Sequence, residues 1–106
     1  NAPQFVEAAR VLASRLIVAC DGRLTVAAER AFERLTSRKP LEAEKHIIKK
    51  MIAEQKAWYD AHPDDAKKFV AVGYTKRDDQ LSDIDVASLA SVINAFMNFD
   101  GSVVKR

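Results

Sequence analysis

The run from Leu81 to Asp100 leaves little freedom of architecture. Ser82 reads as a helix N-cap with Asp85 as its capping-box partner, and Val86, Leu89, Val92, Ile93, Phe96, Met97 and Phe99 then recur on one broad face. Exposing such a face costs about 25 cal/mol for each Å² of apolar surface, so other helices must cover it. The fold class that follows is all-α, a compact bundle of about five helices with short loops and this helix at its centre.

The rest of the chain is punctuated accordingly. Only three Gly and three Pro occur, and they fall between periodic segments. A first helix is expected from Pro3 to Cys20, with Phe5, Ala8, Ala9, Leu12, Leu16 and Ala19 at helical spacing and Asp21-Gly22 as its end. Thr25 can cap a second helix that carries Val26, Ala27, Ala31 and Leu35 inward and Glu29, Arg30, Glu33 and Arg34 on the wet side, stopping near Ser37. After Arg38-Lys39-Pro40 the longest helix begins near Leu41, with Glu42 and Glu44 in its positively polarised first turn. Its inner face is read as Ile47, Ile48, Met51, Ile52, Gln55, Trp58 and Tyr59. His62-Pro63-Asp64-Asp65 restarts a short fourth helix bearing Phe69, Val70 and Val72, with Gly73 placed to close it in the left-handed conformation. The stretch from Tyr74 to Gln80 has almost no apolar content and is expected to cross the surface, and Gly101 to Arg106 forms a short basic tail.

At 106 residues the whole chain, 1–106, is expected to be one domain. Seventeen Lys and Arg stand against fifteen Asp and Glu, a formal charge of +2, which supplies no general field to gather phosphates. Nucleic acid is therefore not an expected partner. Cys20 is the single cysteine, which excludes an internal disulfide and a multi-cysteine metal site. No apolar run approaches the roughly 20 residues of a membrane-spanning helix, so no span is expected. Asn1-Ala2 reads as the remnant of a cleaved tag, and without an initiator Met the chain is expected to be a C-terminal part of a larger multi-domain protein.

Several stretches resemble one family. Pro3-Gln4-Phe5-Val6-Glu7-Ala8-Ala9-Arg10 is similar to its opening P-Q-F-V-E-A-A-R, and Arg30-Ala31-Phe32, Leu35-Thr36-Ser37-Arg38-Lys39-Pro40 and Glu44 resemble its central R-A-F-x-x-L-T-G-R-x-P-x-x-x-E. Ala71-Val72-Gly73 resembles its A-V-G turn, and Asp85-Val86-Ala87 with Val92-Ile93-Asn94-Ala95-Phe96-Met97-Asn98-Phe99-Asp100 resembles its closing helix. The family is the PSD-type, cytochrome-c-associated C-terminal domain of unknown function of planctomycetes. The chain departs from its pattern at Ser37 for the usual Gly, Leu41 for the capping Thr, Leu89 for a common Trp and Gly101 for the usual Glu. The resemblance implies an exported, periplasmic or cell-envelope protein whose upstream domains can carry haem and are the expected partners of this one. It implies no catalytic residue at these positions.

The chemistry-bearing side chains mostly have plain readings. Asp78, Asp79, Asp83 and Asp85 crowd together, yet the mid-loop Gly and closing Glu of an EF-hand are missing, so a solvated loop and helix cap are expected in place of a metal site. His46 and His62 have no second His or Cys at ligand spacing, and the haem-attachment pattern C-x-x-C-H is absent, so no cofactor is expected in this domain. Cys20 at a helix C-terminus sits at the end that disfavours a thiolate, and is read as buried filler. Trp58-Tyr59 and Phe96 to Phe99 read as core residues in preference to the lining of a ligand pocket. Arg38 with Lys39, Lys45, Lys49 and Lys50 reads as a solvated basic face balanced by Glu42, Glu44 and Glu54. Four residues stand out as structural or interface candidates: Arg38, as a clamp on the Asp100 carboxylate or a helix-end carbonyl, and Asn94 and Asn98, as hydrogen-bonding partners of a loop or neighbouring domain.

These readings lead to a helical module without catalysis of its own that packs against or organises other domains of its parent. Two alternatives are one wall of a redox or polysaccharide-processing active site completed by upstream domains, and a helix-turn-helix nucleic-acid binder using Thr25 to Lys50.

Overall fold

The structure, a computed structural model of the chain, describes residues 3–73, 76 and 78–98. Among these residues five helices follow one another: α1 (Pro3–Ala19), α2 (Leu24–Thr36), α3 (Glu42–Ala61), α4 (Pro63–Val70) and α5 (Asp83–Asn98). No strand occurs among the described residues. α5 packs against all four other helices. Its Val86, Ala87, Leu89, Ala90, Val92, Ile93 and Phe96 are buried, so nearly the whole circumference of the helix is covered, which is why its apolar stripe is so broad. Phe99 lies outside the described residues.

The helix ends follow local chemistry, with corrections. Asp21 (φ +53°) and Gly22 (φ +80°) turn the chain after α1, and the Gly22 N–H reaches back to the Ile17 carbonyl at 2.9 Å. Thr25 is not the cap of α2: the helix begins one residue before it, with extended Arg23 at the N-cap and no side-chain cap bond. Leu24 is buried there, so the gain from packing it sets the start in place of the threonine hydroxyl. Ser37 ends α2 in the left-handed conformation (φ +61°), which a glycine would take without cost. α4 ends at Val70 with right-handed Ala71 as C-cap, so Gly73 lies two residues past the closure assigned to it. Its φ is +95°, and a Cβ at that position would collide with the Glu7 side chain.

The inward faces are also rotated from the expected ones. On α1 the buried row is Ala9, Ala13, Leu16 and Ile17, followed by Cys20, while Ala8 and Ala19 are exposed. α2 buries Ala28 and Phe32 besides Ala27 and Ala31. α3 buries only Ile48, Ile52 and Tyr59 fully; Ile47 is 58% and Trp58 46% exposed, so both point away from the core. Helical spacing alone admits either edge of a stripe, and the position of α5 chooses between them. Small residues make the chosen faces workable: Ala9, Ala13, Ala27, Ala28, Ala31, Ala87 and Ala90 are wholly buried and let helix backbones approach closely.

Candidate functional site

Arg38 and Glu44 form the best-defined polar constellation. Ser37 turns the chain out of α2, Pro40 is buried, and Leu41 opens α3 in extended conformation, which brings the Glu44 carboxylate back toward the turn. The Arg38 guanidinium donates to both carboxylate oxygens of Glu44 at 2.8 Å, a bidentate pair. The Leu41 N–H donates to the same carboxylate at 2.8 Å. Leucine has no side-chain acceptor, so the Glu44 half of a capping box is present without the other. Arg38 also lies over the Phe32 ring, 5.1 Å from its centroid, and donates to the Lys39 carbonyl at 3.3 Å. Arg38 thus clamps the α2–α3 connection; Asp100, the partner expected for it, lies outside the described residues.

The hydrogen bond from Arg38, with that from the Leu41 N–H, holds the Glu44 carboxyl at about 2, well below its ordinary value near 4.5. Because the folded value is the lower one, the stabilisation is complete above about pH 5 and is lost as the pH falls from 4.5 toward 2. Glu44→Gln is expected to lower the melting temperature by about 2–4 °C at neutral pH, a small effect because the pair is bathed in water. The gap between wild type and variant, followed by circular dichroism, closes near pH 2. A gap independent of pH would contradict the ionic origin.

Asn94 is buried on α5 and Asn98 is exposed one turn later, its amide N–H donating back to the Asn94 carbonyl at 2.8 Å. The Asn94 Oδ1 and the Ser88 Oγ, both buried, have no hydrogen-bond partner among the described residues. Tyr59 and Ser91 share a hydroxyl hydrogen bond of 3.0 Å between α3 and α5, and Lys56 pairs with Asp85 at 3.2 Å. Asp85 thus faces α3, while its N–H donates to the Ser82 Oγ at 3.2 Å. Asp78 accepts from the Gln80 N–H. Among the described residues no group of three His, Cys, Asp or Glu is arranged to hold a metal ion. Among the described residues no helix is long and apolar enough to cross a membrane. Cys20 is buried.

Two features escape a reading by pattern. Arg10 is almost wholly buried in α1, donates from Nε to the Val72 carbonyl at 3.3 Å and lies 3.8 Å from the Glu7 carboxylate. Its position three and seven residues before Ala13 and Ile17, on a buried row, is the signal that could have found it. The second is a groove of about 540 Å³ between α1 and α2, lined by Leu16, Ala19, Arg30, Glu33, Arg34 and Ser37. A smaller depression of about 200 Å³ shares Arg30 and Glu33 with it and is lined also by Val26, Glu29, Lys39, Pro40 and Lys45. Trp58 stacks on His62 with ring centroids 4.1 Å apart, and the His62 Nδ1–H donates to the Trp58 carbonyl at 2.8 Å. The α2–α3 unit, the region of a helix-turn-helix reading, has Glu42 and Glu44 in the first turn of α3, where a phosphate would be repelled.

The fold defines a class, the all-α five-helix bundle. Comparison with protein-family models, curated proteins and solved structures found no match for this chain.

Proposed function

We propose that this chain is a docking module without catalysis of its own, which packs against and organises neighbouring domains of a larger exported protein. The observation that carries the reading is a stripe on the outer side of α3. Ile47, half-buried Met51 and Trp58 follow one another along one side of the helix, and Ile47 and Trp58 are about 16 Å apart along its axis. Single exposed apolar residues are ordinary, but a row of them on the longest helix fits a surface that another domain covers. The likeness of these sequence stretches to the planctomycete family supports the same reading, and with it an upstream domain able to carry haem and export to the periplasm or cell envelope.

A second reading, one wall of an active site completed by upstream domains, draws support from the arginine-lined groove between α1 and α2. Among the described residues that lining holds no imidazole or thiol, so proton transfer there would fall to Glu33 or to the other domain.

Expressing the longer protein with and without residues 1–106 tests both. Loss of solubility, of co-purifying domains or of haem content in the truncated form is the result expected of a docking module. A truncated protein that assembles normally would remove that role, and normal assembly with lost turnover would favour the active-site wall.

A further inference from the structure

We propose that the groove between α1 and α2 receives an acidic amphipathic helix from a neighbouring domain, an inference that rests on the docking reading and names its partner's chemistry. Leu16 and Ala19 from α1 give the groove its apolar part, the surface that the apolar face of an amphipathic helix covers. Its wall carries Arg30 and Arg34, one helical turn apart on α2. Neither arginine has an ion-pair partner among the described residues, whereas Arg10, Arg38, Lys45 and Lys56 each pair with a carboxylate. Lys39, also unpaired among the described residues, extends the cationic edge into the adjoining depression. Across both, Arg30, Arg34 and Lys39 face two carboxylates, Glu29 and Glu33, while Lys45 is paired with Glu42, so the surface keeps an excess of positive charge beside its apolar part.

Arg30 and Arg34 are about 6 Å apart along the axis, the spacing of Glu or Asp side chains one turn apart on a partner helix. The two interleaved carboxylates argue against a nucleic acid, whose phosphates form an unbroken row of negative charge and would meet Glu29 and Glu33 at every turn. A polypeptide helix can vary its charge residue by residue and place a lysine or amide opposite Glu33.

The test uses the chain as it stands and a labelled helical peptide of about 16 residues with glutamates one turn apart among alanines and leucines. Binding is read by fluorescence anisotropy. The expected result is salt-sensitive binding that falls about tenfold or more in Arg30→Glu/Arg34→Glu and is unchanged in Lys67→Glu/Lys68→Glu, a charge reversal of the same size on α4. If the groove variant loses its helical circular dichroism, Arg30→Gln/Arg34→Gln takes its place. Equal binding by wild type and groove variant overturns the proposal, as does equal loss in both reversals, absence of binding, or tighter binding of a single-stranded oligonucleotide than of the peptide. Failure of the docking reading is visible separately. If truncation disrupts the longer protein while the groove variant does not, the module stands and the groove is not its contact.

Discussion

Leu89→Ala is expected to cost about 3 kcal/mol and to lower the melting temperature by about 15 °C. Leu89 is fully inaccessible to solvent on the one helix that touches all the others. Its neighbours belong to helices whose positions are set by mutual packing, so they cannot all move in to fill the space, and the cavity term adds to the lost burial. Ile93, one turn on and equally buried, is expected to behave alike. Val18→Ala provides the contrast: Val18 is 60% exposed, and its truncation is expected to change stability by no more than about 0.5 kcal/mol. Thermal melts of the three variants decide the matter. A Leu89→Ala protein as stable as Val18→Ala would mean that α5 is not the centre of the core.

The second large effect is expected at Arg10. Its guanidinium is enclosed, donates to the Val72 carbonyl and sits beside Glu7, and its aliphatic stem fills space in α1. Arg10→Ala removes packing and donor together and leaves polar groups to be buried without their partner, for an expected loss of about 2–4 kcal/mol. Arg10→Met keeps most of the volume and removes only the donor and the charge, so its loss is expected to be clearly smaller. Because Val72 and Gly73 lie in the connection after α4, limited proteolysis of Arg10→Ala is expected to cut near that connection before the helices. A variant that melts like wild type and resists such cleavage would show that Arg10 does not tether the connection.

Much of the fold was legible because helical periodicity and punctuation agree. Pro63 at the start of α4, Asp21-Gly22 after α1 and Ser82 before α5 each mark a boundary through a local backbone or hydrogen-bonding requirement, and the structure uses all three. Thr25 misled because a good capping residue competes with the burial of Leu24, and burial contributes more. Ile47 and Trp58 misled because an apolar residue at the edge of a stripe satisfies the spacing rule whether or not a neighbour covers it. The candidate site was harder to read. Glu44 was recognisable as a first-turn acid, but its pairing with Arg38 depends on how Ser37 to Leu41 turns, and the groove depends on the separation of α1 and α2.

By itself, the sequence determined that this protein is a set of five helices, where most of them start and stop, and that the last must be the one the others surround. Those properties are local: they follow from side-chain spacing, capping chemistry and the cost of wetting one broad apolar face. Only the tertiary structure decided that Arg10 is enclosed, that Arg38 holds Glu44, that Ile47 and Trp58 face outward, and that Arg30 and Arg34 edge a groove without partners among the described residues. Each of these depends on the distance and rotation between helices far apart in the chain, and many side chains together set that geometry.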